Sequence, residues 1–174
     1  MHPSVTILRS PQVHPDVLYR FLNKNAAKIG VQHVSIVSAY TACGELFQIG
    51  NLIPFAQAVH ETGHFTSERW LKSYNPAGIG ATNDGAWGSN FNSVAEGVFA
   101  QYCHLLAYAL PISQASFLQH SLIKLDPRLA NLITQRWQGI APTWEGLNGR
   151  WAFPGKGYAQ AIMKIAARID VPRT

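Results

Sequence analysis

Five residues in the middle of the chain, His60-Glu61-Thr62-Gly63-His64, spell H-E-x-x-H. On a continuous helix this spacing stacks two imidazoles on one face. There they hold zinc while the glutamate acts as general base, the arrangement of zinc proteases. Gly63 stands inside the motif and tends to end a helix before His64. The longer H-E-x-x-H-x-x-G-x-x-H form is not continued either, and no histidine follows His64 until His104. Glu61 supports a second chemistry. In the last turn of a helix the unpaired carbonyls carry partial negative charge, which opposes ionisation of a carboxyl. Burial beneath Phe65 or Trp70 pushes in the same direction. A carboxyl kept protonated near neutral pH can give its proton to a glycosidic oxygen. The third reading is a solvated glutamate on a polar helix face, and the local pattern alone favours that one.

The elements that must hold these residues are mostly helical. Val17, Leu18, Phe21 and Leu22 give Asp16 to Ala27 a helical stripe. Val34 to Ile49 is a second helix, stopped by Gly50. Leu52, Phe55, Ala56 and Val59 form an i, i+3, i+4, i+7 stripe around Pro54, which suits the first turn of a helix. Gln57, His60 and Glu61 fall on its opposite, polar side. From Ser73 to Asn92 glycine, asparagine and aspartate are dense, which predicts loops and a short hairpin at Asn83-Asp84-Gly85. Ser93 and Glu96 then make a capping-box signature for a helix running through Val98, Gln101, Leu105 and Tyr108. Asp126 to Gln138 and Gly157 to Ile169 are the last two helices. The expectation is one mainly α (α+β) domain over residues 1–174, with residues 1–13 an extended lead-in and a small irregular or β lobe around residues 73–92.

Bulk properties narrow the function classes. The 174 residues are 47% hydrophobic and only 13% charged, the balance of a domain with a real core rather than a disordered chain. A net charge of +5 favours polyanionic partners, but the basic residues are scattered and mark no nucleic-acid patch. The most apolar window, Val94 to Ile112, contains Glu96, Gln101 and His104, which argues against membrane insertion. Cys43 and Cys103 sit in apolar helical patterns as buried thiols, with a disulfide permitted but not required, and no metal-binding cysteine spacing occurs. No cofactor is implied. The N-terminus has no basic start followed by an apolar run, so no signal peptide is expected.

The stretch from Ala56 to Ser67, A-Q-A-V-H-E-T-G-H-F-T-S, resembles the active-site helix of the glucosaminidase-domain family. These are the endo-β-N-acetylglucosaminidase-like autolysins and phage lysins, similar to glycoside hydrolase family 73. The resemblance continues at Asn75-Pro76-Ala77-Gly78-Ile79-Gly80, at Gly97 to Tyr108 and at Asp126-Pro127-Arg128. Further blocks run from Pro142 to Ala152 and over Gly157-Tyr158-Ala159, so that it spans roughly residues 50–170. It implies a lysozyme-like fold with a cleft, and hydrolysis of the β-1,4 bond after N-acetylglucosamine in peptidoglycan. It implies Glu61 as the acid. Tyr158 becomes the active-site tyrosine, able to hold a water or the substrate acetamido group, although a core aromatic opening a helix is an equal reading. Asn75 and Gly78 match the loop at the cleft floor. Thr62, His104 and Trp151 complete the expected substrate contacts; Trp144 and Trp151 can stack on sugars, with core packing favoured for at least one.

A glycosidase also needs a second group, about 5–5.5 Å or 6.5–9.5 Å from the acid for retaining or inverting chemistry. Glu96 is explained by capping and Glu45 by a solvated helix face, leaving Asp84 as the better-placed carboxylate. Attack by the substrate's own N-acetyl group is the other route. Rival activities on the same fold are a lytic transglycosylase and a muramidase; outside it, the zinc metallopeptidase and a non-enzymatic wall-binding module. A wall-acting protein without a signal peptide is expected to reach the periplasm or exterior by a phage-type route, through a holin or as part of a phage-derived apparatus.

Overall fold

The structure is a computed structural model that describes residues 4–25, 32–80, 88–116, 118, 121 and 137–170. It is mainly helical. The described elements are α1 (Pro15–Asn25), α2 (Gln32–Phe47), α3 (Leu52–Glu61), α4 (Glu68–Ser73), α5 (Val94–Ala109) and α6 (Tyr158–Ile169), with short 3₁₀ turns at Ile112–Gln114 and Glu145–Leu147. Among the described residues there is no extended strand, only isolated bridges from Thr6 to Thr143 and from Asn148 to Ala152.

Helix α3 runs through the centre. It packs against α6, while α2 packs against α5 and α1 against α2. Every residue from Leu52 to Val59 is buried, and of the polar side expected of the helix only its last turn reaches the surface, with His60 exposed and Glu61 partly buried. Gln57, expected on the polar side, is instead 0% exposed. Aromatic side chains fill the space around α3. Phe55 meets Phe21, Tyr40 and Phe65 at ring-centroid distances of 6.0, 5.4 and 5.5 Å, and Phe65 meets Trp70 at 5.0 Å. These offset and edge contacts suit the ring quadrupoles. Phe65 and Trp70 are both 0% exposed and belong to this aromatic core.

The lead-in is a structural part of the domain. The Ile7 N–H donates to the Pro142 carbonyl at 2.9 Å, and the Trp144 N–H donates to the Val5 carbonyl at 2.9 Å. Ile7 is fully buried. The Asn51 side chain exchanges two hydrogen bonds of 2.9 Å with the backbone of Val13, fixing the lead-in to the start of α3.

Helix α5 begins at the expected cap. The Ser93 hydroxyl accepts from the Glu96 N–H at 3.1 Å. The Glu96 carboxylate reaches back one residue further than the usual box, accepting from the Asn92 N–H at 2.9 Å. Gly97 lies where α5 touches the chain leaving α4: a Cβ there would stand 1.9 Å from the Tyr74 carbonyl oxygen. The helix expected over Asp126 to Gln138 lies largely outside the described residues, and its described end, Trp137 and Gln138, is not helical. Cys43 and Cys103 are buried thiols, and burial pushes the Cys43 thiol up to about 12. No helix among the described residues is long and apolar enough to cross a membrane.

Candidate active site around Glu61

Helix α3 ends on Glu61, and the chain then coils tightly. Gly63, His64 and Phe65 all take positive φ, at 56°, 63° and 60°. The Thr62 hydroxyl donates to the Ala58 carbonyl at 2.6 Å and accepts from the Phe65 N–H at 2.8 Å. Thr62 is buried, so this candidate substrate contact instead secures the turn that ends the helix. The same turn takes the two histidines of the H-E-x-x-H motif apart. His60 meets the edge of Tyr158 on α6, with centroids 5.8 Å apart, whereas His64 stacks on Phe21 of α1 at 6.1 Å. The shared helical face that the zinc arrangement requires is not formed.

The Glu61 carboxyl is half-buried. Its Oε1 accepts a 2.5 Å hydrogen bond from the Tyr158 hydroxyl. Burial raises its pKa above the ordinary 4.5; the Tyr158 hydrogen bond and the Arg69 guanidinium act in the opposite direction. Tyr158 opens α6. Its position is set by the Asn148 side chain, whose Oδ1 accepts from the Ala159 N–H at 2.8 Å. Burial raises the Tyr158 hydroxyl far above its usual range, and the neighbouring Glu61 carboxyl adds to this. Tyr158 is thus a buried aromatic at a helix start whose hydroxyl also touches the Glu61 carboxyl.

The loop from Asn75 to Gly80 lies over the other oxygen. Gly78 has φ of 63°, and a Cβ built on it would stand 3.6 Å from Glu61 Oε2. Asn75 shapes this loop from within. Its Oδ1 accepts from the N–H groups of Ala77 and Ile79 at 3.4 and 2.9 Å, and its Nδ2 donates to the carbonyls of Ile79 and Ser89 at 2.9 and 3.1 Å. Asn75 is buried and its amide is spent on the backbone, so it holds the loop rather than offering its side chain outward. Trp151 braces the same loop by donating from Nε1 to the Ala77 carbonyl at 3.2 Å. Its ring lies 5.2 Å from His104 and 5.8 Å from Tyr108, making a partly exposed aromatic wall beside the loop. Trp144 is fully buried and donates to the Ser10 hydroxyl at 2.9 Å, which removes it from any sugar-stacking role.

Asp84 and the turn around it lie outside the described residues. Glu96 is engaged at its cap and Glu45 is exposed on α2. Among the described residues no group of three histidine, cysteine or acidic side chains is arranged to hold a metal ion.

Three residues of the site were not singled out from the sequence: Gln57, Gln101 and Tyr40. The Tyr40 hydroxyl donates to Gln101 Oε1 at 2.7 Å. Gln101 Nε2 donates to Gln57 Oε1 at 2.8 Å and to the Pro54 carbonyl at 3.0 Å. Gln57 Nε2 donates to the Tyr158 hydroxyl at 2.8 Å. A signal existed, since Gln101 falls on the apolar stripe of its helix, and an amide at a core position needs buried partners.

No protein-family model matches the chain. A protein of Borreliella burgdorferi (strain ATCC 35210 / DSM 4680 / CIP 102532 / B31), described as an uncharacterized protein, is 35% identical over 115 residues. The match covers 65% of this chain and 51% of that protein, so the chain spans about half the length of this relative.

Proposed function

We propose that the chain is a peptidoglycan hydrolase that cleaves the β-1,4 bond after N-acetylglucosamine, with Glu61 as general acid. The observation that carries the reading is the placement of Glu61. Its carboxyl is half-buried with a raised pKa, bound on one oxygen by Tyr158 and faced on the other by the Gly78 backbone. A carboxyl in that setting keeps its proton to higher pH than a solvated one, and Gly78 places no side chain against its second oxygen. The ordered sequence blocks around Glu61, Asn75, Gly97, Pro142 and Gly157 supply the substrate class through their resemblance to glucosaminidase domains. In this reading the fold is lysozyme-like and the glycan strand lies against Trp151 and His104. The second group is Asp84 or the substrate's own acetamide.

Product analysis tests the reading. Digestion of purified peptidoglycan is expected to yield reducing N-acetylglucosamine ends, and Glu61→Gln is expected to lower their yield by about 10²–10⁴-fold. Anhydro-muramic ends would assign a lytic transglycosylase, and reducing muramic acid a muramidase. Wall binding without any new ends from the unaltered protein would leave a binding module. Activity is expected to persist in excess EDTA, because His60 and His64 face different helices; loss in chelator with recovery on added zinc would revive the metallopeptidase.

A further inference from the structure

The four side-chain hydrogen bonds from Tyr40 to Glu61 all point the same way. Tyr40 donates to Gln101, Gln101 to Gln57, Gln57 to Tyr158 and Tyr158 to Glu61. Tyr40, Gln57, Gln101 and Tyr158 are 0%, 0%, 0% and 5% exposed. Amides can be turned over, so the direction of such a chain needs a cause. The Pro54 carbonyl provides it. A carbonyl oxygen only accepts, and it receives Gln101 Nε2 at 3.0 Å. That contact sets the amide of Gln101, leaving its oxygen for the Tyr40 hydroxyl. The second proton of Gln101 Nε2 then meets Gln57, which must present its oxygen and therefore aims its own Nε2 at the Tyr158 oxygen. With Gln57 donating to it, the phenol directs its single proton toward Glu61 Oε1.

We propose that Gln57 and Gln101 are positioning residues that fix Tyr158 as a donor to Glu61 Oε1 and thereby place the carboxyl's own proton on Oε2, the oxygen beside Gly78. An oxygen that already accepts the phenol proton at 2.5 Å has no comparable place for an acid proton on the same side. The other oxygen faces the loop at Gly78, where a Cβ would come no closer than 3.6 Å. The proton thus sits on the oxygen that faces the Gly78 backbone, away from Tyr158. Each link also polarises the next, so that Gln57 makes the phenol a stronger donor. Breaking the chain at either glutamine frees the phenol to turn and accept a proton from Glu61. The catalytic meaning of this placement rests on the glycosidase reading; the placement itself does not.

The test follows the titration of Glu61 by carbon NMR of labelled glutamate in the full chain, with Glu61→Gln assigning the signal. Among the described residues the other groups bearing on this titration are Arg69 at Glu61, and His60 and Tyr108 beside Tyr158; all three stay unchanged in every variant. Gln57→Met and Gln101→Met remove the amides at similar volume. Each is expected to move the Glu61 midpoint upward, because the carboxylate loses a strong donor. Tyr158→Phe moves it upward as well, and in that background Gln57→Met is expected to add nothing. This non-additivity separates a relay through Tyr158 from general loosening of the core. Tyr40→Phe, which changes a single hydroxyl, supplies a milder variant should the methionine replacements fail to fold; it too is expected to shift the midpoint, by less.

A folded Gln57→Met whose Glu61 midpoint is unchanged, or whose shift persists fully in Tyr158→Phe, overturns the proposal. If wall lysis is present, kcat is expected to fall roughly ten- to a hundredfold in Gln57→Met with little change in KM, as misplacement of a reacting group produces. A wild-type chain that cleaves no peptidoglycan would sink the glycosidase reading while leaving the NMR outcome to judge the relay.

Discussion

Burial holds the Glu61 carboxyl above its ordinary value of 4.5, so the folded chain keeps that proton more tightly than the unfolded chain does. The sign of the pH dependence follows from linkage. The stability that this group contributes is fully present below pH 4.5 and is lost as pH rises through the elevated folded value. Glu61→Gln removes the titration, and its amide oxygen can still accept from Tyr158. Thermal melts are expected to coincide for the two proteins near pH 4 and to favour the variant at pH 7, while lysis falls by about 10²–10⁴-fold. A wild-type protein that melts higher than the variant at pH 7 would contradict the buried-acid account. Tyr158→Phe deletes a donor that favours the carboxylate, so the Glu61 value climbs further. The alkaline limb of the activity profile is expected to move to higher pH even as the maximal rate drops. A limb that stays in place would place the titrating acid elsewhere.

At the scale of elements, the loop between α4 and α5 decides what Glu61 can meet. The left-handed backbone at Gly78 costs about 1–2 kcal/mol for any residue with a Cβ. Gly78→Ala therefore lowers stability by about that much, measurable by denaturant unfolding. Its methyl also occupies the space 3.6 Å from Glu61 Oε2, so activity is expected to fall more than the stability loss explains. Activity equal to wild type in that variant would show that substrate does not pass Gly78. The helices around this loop were legible in the sequence because their signals are local: Ser93 caps α5, Gly157 precedes α6 and Gly63 follows the end of α3. Helix α4 was not anticipated. It is only six residues long, with Ser67 accepting from the Trp70 N–H as its cap and Tyr74 turning left-handed to end it, too short for periodicity to register.

For the whole molecule, segments far apart in the sequence cooperate. Ile7 is buried where residues 5–7 pair with residues 142–144, so Ile7→Ala is expected to cost about 2–5 kcal/mol despite its place in the lead-in. Unfolding by denaturant checks this, and a change within 0.5 kcal/mol would show the lead-in to be dispensable. The sequence alone determined that the chain is mainly helical and that Glu61 is the acid most worth testing, since periodicity, caps and motif spacing act over a few residues. It read residues 1–13 as a lead-in without their docking, and Gln57 as a polar outer position. Both were decided by tertiary packing. A polar side chain opposite an apolar stripe looks the same whether it meets water or a buried partner, and the partners here are distant: Gln57 lies 101 residues from Tyr158 and 44 from Gln101, and Glu61 lies 97 from Tyr158. Only when α3 is enclosed by its neighbours does the pattern on one helix become a directed path of hydrogen bonds ending on one oxygen of Glu61.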